Sequence, residues 1–302
     1  MSARKIIVDK NKIEDYLKNN FNNNSRIIKE FSGNEVSRAF LFTAQNKEYV
    51  VRIDSNVDTF TKDKYAYEHF STSELIIPKT VRLGKIEEGL FYSITEKLEG
   101  TPLSELNDIE FKKALPDIAL TLRNIHDTDI STTTGYGDWG INGKGNNKSW
   151  ADYILSLRKS KYYSWDKMFS ENKYEKGLFE KAYNKMVSLS EFISEERNLL
   201  HGDYGFSNVL IENGKVSGVL DWGVSKYGDF IYDIAWLDYW AEKTDYGEFL
   251  KNYYEDKNLL NYNERLICYK CHAGLTSSGF FAKYGDTNGY RFTKSRLLEF
   301  IT

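Results

Sequence analysis

A short predicted hairpin, with polar residues at both of its ends, constrains the fold of this chain more than any other feature. An Asn-Gly dipeptide at residues 213–214 joins two short aliphatic runs, which is a strong signal for a tight β-turn. Asp203 and Asn208 precede the first run, and Asp221 follows the second. Because a hairpin brings its two ends together, we expect these three oxygen-bearing side chains to converge.

This set of side chains suits phosphoryl transfer with a magnesium ion. Mg²⁺ takes one or two carboxylates together with phosphate oxygens and waters, so Asn208 and Asp221 are candidate metal ligands. Asp203 is the candidate catalytic residue, which would accept the proton of a substrate hydroxyl. The competing interpretation is that Asp and Asn only form turns here, as they often do. The ordered set at this spacing favours catalysis.

The remaining pattern predicts an α+β chain in two parts. Before residue 98, short β-branched and aromatic runs predict an antiparallel sheet with one inserted helix; the strands are expected at 26–31, 36–43, 48–53, 80–85 and 90–98, and the helix at 59–71. After Gly100 helical periodicity dominates; helices are expected at 111–126, 174–193, 231–240 and 262–283. We therefore assign residues 1–97 to a nucleotide-binding lobe and residues 98–302 to a catalytic and substrate-binding lobe.

Charge and hydropathy exclude several classes of protein. The chain has 302 residues, a formal net charge of −3 and a pI near 5.9, which argues against bulk binding of nucleic acid or anionic membranes. No stretch approaches the roughly 18 apolar residues of a membrane span, and the first residues do not form a signal peptide. We expect a cytoplasmic monomer.

The two cysteines lie in a sequence that matches a haem-attachment pattern. Cys268, Cys271 and His272 form C-x-x-C-H, but this reading needs an exported protein. The surrounding run predicts a buried helix, on which cysteines three residues apart share a face. We therefore interpret them as buried structural thiols.

The motif around Asp203 resembles the catalytic loop of the aminoglycoside phosphotransferase family, which is related to protein kinases. His201-Gly202-Asp203 followed by Asn208 is similar to that loop, and Asp221 matches the family's metal-binding aspartate. The resemblance implies a bilobal protein-kinase-like fold, with ATP or GTP and Mg²⁺ as cofactors. It further implies that Asp233, in the segment after the hairpin, braces the loop at His201.

A branch of this family, the hygromycin B phosphotransferases, is more similar still. The loop at residues 32–37 resembles its nucleotide loop, so that Ser32, Gly33 and Ser37 would cover the phosphates of the nucleotide. Arg52 stands where most relatives have the lysine that pairs the α- and β-phosphates. Arginine is always charged and binds phosphate in a bidentate way, so we expect Arg52 to be able to take this role.

Two further nucleotide contacts follow from the same resemblance. Asp63 would orient the Arg52 cation, with Glu68 as the alternative; either is otherwise a solvated helix charge. The backbone of Glu96 and Leu98, in the connector between the lobes, would hydrogen-bond the purine.

The acceptor is expected to be a small, probably cationic, hydroxyl compound such as an aminoglycoside. Residues 1–97 carry 16 Lys+Arg and 14 Asp+Glu, whereas residues 98–302 carry 25 and 30. Carboxylates with an aromatic wall would hold ammonium groups. Relatives place substrate contacts in the segment that holds Asp238, Trp240 and Glu242, and further candidates are Asp138, Asp152 and Asp245. The competing interpretation is that these acids are ordinary surface charges.

Two other functions share the same core motifs. One is a kinase for a small metabolite such as choline, a sugar or an amino alcohol. The other, from a different class, is a nucleotide-binding pseudokinase, which the intact Asp203, Asn208 and Asp221 argue against.

Overall fold

The computed structural model describes residue 6 and residues 8–31, 37–241 and 244–301. The predicted site residues Ser32, Gly33 and Glu242 lie outside the described residues. The chain divides into two compact units. The first consists of Met1–Ile118 and Gly205–Gly223, and the second of Ala119–Tyr204 and Val224–Thr302. The predicted hairpin therefore groups with the N-terminal part of the chain, while the proposed lobe boundary near residue 98 stays a prediction.

Twelve strands and ten α-helices lie within the described residues. The strands are β1 (Arg26–Glu30), β2 (Arg38–Ala44), β3 (Lys47–Asp54), β4 (Thr80–Glu87), β5 (Leu90–Glu96), β6 (Thr101–Pro102), β7 (Tyr136–Trp139), β8 (Gly145–Asn147), β9 (Asn198–Leu200), β10 (Val209–Glu212), β11 (Lys215–Val219) and β12 (Lys226–Gly228). The α-helices are α1 (Lys10–Asn20), α2 (Val57–Phe70), α3 (Asp108–His126), α4 (Trp150–Leu155), α5 (Trp165–Ser170), α6 (Lys176–Leu189), α7 (Ile231–Trp240), α8 (Tyr246–Lys251), α9 (Tyr262–Lys283) and α10 (Thr287–Ile301).

The first unit is built on a five-stranded antiparallel sheet. Its strand order is β1-β2-β3-β5-β4, and each neighbouring pair of strands is antiparallel. The predicted sheet and its inserted helix are present, and α2 lies between β3 and β4 in the chain. The buried face of α2 repeats at helical spacing through Phe60, Asp63, Ala66 and Phe70. This spacing places the carboxylate of Asp63 among buried groups.

The predicted hairpin is formed by β10 and β11 in the first unit. Asn213 and Gly214 have φ angles of 53° and 79°, the left-handed conformation that a tight two-residue turn requires at both positions. β6 pairs with the other edge of β10, which gives the order β11-β10-β6. The hydrogen bond from Leu220 N–H to the carbonyl of Asn208 is 2.7 Å long and continues the pairing beyond the named strands.

The second unit combines a small four-stranded sheet with a set of helices. The sheet has the order β8-β7-β12-β9. Two of the helices, α7 and α9, have the bounds that the sequence predicts, whereas α6 is shorter than the expected helix over residues 174–193. The sequence did not predict α10 or the small sheet. Among the described residues, no helix is long and apolar enough to cross a membrane.

The cysteines on α9 have the surroundings of structural thiols. Cys268 and Cys271 are free and buried, and burial raises the pKa of the Cys271 thiol to about 12. Burial also raises the pKa of Cys268. Such thiols carry little thiolate at neutral pH and are inert. The interpretation as buried structural cysteines is confirmed.

Candidate active site

In the second unit, the carboxylate of Asp233 holds the loop that precedes Asp203. Asp233 is fully buried on α7. Its Oδ2 accepts the N–H of His201 and its Oδ1 the N–H of Gly202, each at 2.8 Å. His126 Nε2 lies 3.2 Å from Oδ2, and the His126 Nδ1 lies 2.7 Å from the Tyr254 hydroxyl. The carboxylate therefore lies where a brace for this loop must lie.

The charge of Asp233 is stabilised by these contacts. Burial by itself raises the pKa of a carboxyl, because it removes water from the charged form. The hydrogen bond and charge of His126, with the charge of His201 and the N–H of Gly202, outweigh burial and lower the pKa of Asp233 below its usual value. Asp233 thus remains a carboxylate with both oxygens engaged.

Gly202 allows the loop to turn into Asp203. Its φ angle is +79°, a conformation that side chains rarely adopt. The N–H of Asp203 donates to His201 Nδ1 at 3.3 Å, so the imidazole of His201 holds the backbone two residues further along the loop. Asp203 is partly exposed, in contrast to the buried His201. This arrangement leaves the proposed catalytic carboxylate accessible on a loop that is held from beneath.

In the first unit, Arg52 lies between two carboxylates. The guanidinium of Arg52, on β3, is 2.7 Å from Asp63 Oδ2 and 3.0 Å from Asp221 Oδ2. The other oxygen of Asp63 accepts the N–H of Trp222 at 2.7 Å. Asp63 therefore links the cation on the sheet to the backbone just after Asp221. Glu68, the alternative partner, instead lies on the surface 3.7 Å from Lys64.

Burial and charge act in opposite directions in this group. Burial raises the pKa of the Asp63 carboxyl to about 6, although Arg52 and the Trp222 N–H act to lower it. For Arg52 burial acts to lower the pKa, but the charges of Asp221 and Asp63 outweigh it, so the pKa lies above its ordinary value. The guanidinium is always charged, whereas the charge of Asp63 depends on its partners.

Asn208 and Asp221 supply the oxygen atoms that suit a hard cation. The Asn208 N–H donates to the carbonyl of Gly205, and the Asn208 carbonyl accepts from Leu220, so the backbone sets the two residues at one end of the hairpin. Asp221 has a φ of 61°, an uncommon conformation for a residue other than glycine, and its side chain is 42% exposed. An amide and a carboxylate fit Mg²⁺, which keeps waters and phosphate oxygens as its remaining ligands. In the described part of the chain, no three His, Cys, Asp or Glu side chains form a closed metal site.

The connector segment continues from β5 of the first unit. Glu96 is the last residue of β5, where it pairs with Tyr49 of β3, and its N–H donates to the carbonyl of Lys79 at 3.0 Å. A Cβ placed on Gly218 would lie 2.4 Å from Leu98 Cδ1, so Leu98 packs directly on β11. Ser37, the described residue of the predicted phosphate loop, is buried immediately before β2.

The predicted acceptor residues do not share one environment. Asp238 is buried, its Oδ1 accepts the N–H of Gly247 at 3.1 Å, and its Oδ2 forms an ion pair with Lys270. Both oxygens are thus engaged within the fold. Asp245 caps α8 through a 2.9 Å hydrogen bond from Glu248 N–H. Trp240 is half-buried.

The other three candidates, Trp240, Asp152 and Asp138, differ in their exposure and contacts. The Trp240 ring lies 5.9 Å from the ring of Phe292, centre to centre. Asp152 is exposed in the first turn of α4. Asp138 has a side chain that is 55% exposed and an oxygen 3.9 Å from the Lys226 ammonium. Lys226 itself was not identified from the sequence, because a single lysine in a three-residue strand carries no pattern.

The arrangement defines a class of enzyme. Each unit by itself holds groups that phosphoryl transfer needs. The first has a cation between two carboxylates and an Asn/Asp oxygen pair, and the second has a braced loop with a partly exposed aspartate. The sequence model of the phosphotransferase enzyme family matches residues 27–264 of this chain. The chain belongs to this family and is a phosphotransferase that acts on an alcohol group.

Known relatives agree with this assignment. The chain is 31% identical to the hygromycin-B 4-O-kinase of Escherichia coli over 264 residues. This alignment covers 87% of this chain and 76% of the relative. The crystal structure of the aminoglycoside phosphotransferase APH(4)-Ia matches with a TM-score of 0.86 and 27% identity, over 97% of this chain and 98% of that chain. A ternary complex of a thermostable mutant of that enzyme, with AMP-PNP and hygromycin B, matches with a TM-score of 0.85 and 28% identity, over 96% and 98% of the two chains. The predicted family and its kinase-like α+β fold are confirmed.

Proposed function

We propose that this protein transfers the γ-phosphoryl group of a nucleoside triphosphate to a hydroxyl group of an aminoglycoside, with hygromycin B as the first acceptor to test. The observation that carries the proposal is the Arg52 guanidinium, held between Asp63 and Asp221. This cation is fixed on the sheet and always charged, as phosphate binding requires. The acceptor is inferred from the relatives, whose names and bound ligands specify hygromycin B.

The nucleotide would occupy the first unit. Arg52 would pair the phosphates, and Asp63 would keep its guanidinium in place. The backbone of Glu96 and Leu98 would contact the purine, and Ser37 would lie over the phosphates.

The metal site would be formed by Asn208 and Asp221. Mg²⁺ bound there would neutralise charge on the phosphates and orient them for transfer. The half-exposed carboxylate of Asp221 can exchange its contact with Arg52 for a metal, whereas the backbone hydrogen bonds of Asn208 stay in place.

The acceptor hydroxyl would be oriented by Asp203. Its carboxylate accepts the hydroxyl proton as the oxygen attacks the phosphorus atom, and the nucleoside diphosphate leaves. His201 and Asp233 hold the backbone at this residue and do not touch the substrate. A nucleotide-dependent reaction of this kind is expected in the cytoplasm.

A substrate panel tests the proposal. The purified protein is incubated with Mg²⁺ and ATP or GTP, and with hygromycin B, other aminoglycosides, choline, simple sugars and amino alcohols. Release of nucleoside diphosphate and the mass of the product report turnover, and nuclear magnetic resonance locates the phosphate. We expect phosphorylated hygromycin B and loss of turnover in Asp203→Ala.

Each other outcome is informative. Turnover of choline or a sugar, with none of any aminoglycoside, would make the protein a metabolite kinase. Nucleotide binding without turnover of any acceptor would make it a pseudokinase. Unchanged activity of Asp203→Ala would disprove the mechanism while leaving the fold intact.

A further inference from the structure

A buried lysine lies in the centre of the small sheet of the second unit. Lys226, on β12, is paired across the sheet with Asp138 of β7 on one side and with Leu200 of β9 on the other. Its side chain is only 4% exposed. The ammonium donates to the carbonyl of Val224 at 2.6 Å and lies 3.9 Å from Asp138 Oδ1. The lysine is therefore held by a backbone oxygen and a carboxylate.

The ammonium of Lys226 lies directly against the loop that leads into Asp203. A Cβ placed on Gly202 would be 2.4 Å from Nζ and 2.6 Å from the Val224 carbonyl oxygen. The backbone at Gly202, the ammonium and the Val224 carbonyl are thus packed with no space for even a methyl group. Lys226 contacts the residue immediately before the proposed catalytic one.

Aromatic rings and a neutral histidine complete the surroundings of the ammonium. Nζ lies 5.3 Å from the ring centre of Tyr232 and 5.9 Å from that of Tyr153, within the range of cation–π attraction. Burial and then the charge of Lys226 lower the pKa of His272 to about 3, so this imidazole is neutral. The Tyr232 hydroxyl lies 3.2 Å from its Nδ1.

Stability alone is a poor reason for a lysine at this position. Removing an ammonium from water is costly, and apolar residues of similar volume often replace buried ion pairs with no loss of stability. The position of the charge, between the Val224 carbonyl and Gly202, gives it a different use. The ammonium packs against the glycine and also donates a hydrogen bond to the carbonyl. An apolar side chain can pack there but cannot donate this hydrogen bond.

We propose that Lys226 is a positioning residue for phosphoryl transfer, whose ammonium fixes Gly202 against the Val224 carbonyl and so holds Asp203 in its productive place. Two parts of the chain therefore hold the loop. Asp233 binds the N–H groups of His201 and Gly202, and Lys226 supports Gly202 at its α-carbon. This inference rests on the proposed function.

The test compares two buried lysines of the same unit. Lys226→Met keeps the length of the side chain and removes both charge and donor. We expect kcat to fall by about 10- to 100-fold, the effect of a small displacement of a catalytic group, with the KM for nucleotide changed by less than about threefold. Lys270→Met, which removes the ammonium paired with Asp238, is the matched control. It is expected to lower stability while kcat stays within about twofold.

A second measurement does not depend on turnover. Hydrogen exchange of the amides of residues 201–203 should be faster in Lys226→Met than in the parent protein, by more than the general increase that the lower stability of Lys270→Met produces across the chain. If the parent protein phosphorylates no acceptor, the proposed function fails, and exchange still decides whether Lys226 holds the loop. If Lys226→Met does not fold, Lys226→Gln, which keeps a neutral donor for the Val224 carbonyl, takes its place in both measurements. Parental kcat together with parental exchange in the folded variant would overturn the proposal.

Discussion

The two units hold a buried aspartate in opposite ways. Asp233, in the second unit, accepts two backbone N–H groups and contacts His126, and its pKa is lowered. Asp63, in the first unit, has one backbone N–H and Arg52, and burial raises its pKa to about 6. At Asp233, burial is outweighed by His126, by the charge of His201 and by the N–H of Gly202. At Asp63, burial and the like charge of Asp221 outweigh Arg52 and the Trp222 N–H. Asp233 is therefore a permanent part of the fold, whereas the charge of Asp63 is conditional on the cation that it orients.

The two carboxylates therefore suit different roles. Backbone donors cannot move away without unfolding the loop, so Asp233 provides a fixed geometry beside Asp203. Arg52 is shared with Asp221, so its contacts can rearrange when phosphate and metal arrive. Substitutions on the two sides should separate: changes near Asp233 should cost stability, and changes near Asp63 should cost nucleotide binding.

The largest expected effect comes from the carboxylate of Asp221, which contacts Arg52 and is a proposed metal ligand. Asp221→Ala removes one of the two proposed metal ligands and one partner of Arg52. We expect turnover to fall by about 10³-fold or more, because metal and charge positioning supply most of the catalysis in this reaction class. Steady-state turnover is measured from low to high millimolar Mg²⁺. Activity that recovers at millimolar Mg²⁺ would contradict the role of Asp221.

The next largest effect concerns stability. Asp233→Asn keeps the shape of the side chain but presents an NH₂ group to donors that need an acceptor. We expect the free energy of unfolding to fall by about 3 kcal/mol, the usual cost of breaking a buried charged network. Urea unfolding followed by circular dichroism measures it. A loss below about 1 kcal/mol would show that the loop is held by other contacts.

The elements that the sequence predicted are those with a local cause. The turn at Asn213 and Gly214 follows from the two positive φ angles that it needs, and the oxygen pair at its ends follows from the hairpin. The bounds of α7 and α9 follow from long apolar runs. In the hairpin and the two helices, a few neighbouring residues carry the signal. Asp63 was instead preferred over Glu68 through the family resemblance, and its contact with Arg52 is present.

The elements that were missed depend on distant partners. β7, β9 and β12 have three or four residues each, and β12 pairs with β9 and β7 across about 30 and 90 positions of the chain, so no periodicity is visible in any one of them. Asp238 looks like a solvent-exposed acid until Lys270, 32 positions later, is placed against it. Lys226 likewise acquires its meaning from Gly202 and Asp138. Sequence position alone does not distinguish a surface charge from a buried pair.

Asp63→Asn tests the other side of the comparison. A carboxyl whose pKa is raised in the folded state costs stability when it is ionised, so a neutral isostere should change the free energy of unfolding by less than about 1 kcal/mol. The KM for nucleotide should rise by about tenfold, because Arg52 loses the partner that orients it. Glu68→Gln, on the same helix but at the surface, is the control and should leave both quantities unchanged. Equal losses of stability in Asp63→Asn and Asp233→Asn would remove the distinction between the two regions.

The smallest effect is a dependence on pH that should appear in one region and not in the other. As the pH falls through about 6, Asp63 takes up a proton and its ion pair with Arg52 weakens, so the KM for nucleotide should rise several-fold between pH 7.5 and about 5.5. The pKa of Asp233 is lowered, so its contribution to stability is present above the unfolded value of about 4 and is lost only at lower pH. At pH 5.5 the free energy of unfolding should therefore keep the contribution of Asp233 while nucleotide binding has already weakened.

Isothermal titration of the nucleotide at both pH values, repeated with Asp63→Asn, separates this effect from protonation of the phosphates, because the phosphates titrate alike in both proteins. If the dissociation constant of the nucleotide rises by the same factor in Asp63→Asn as in the parent protein, the acid sensitivity does not come from Asp63.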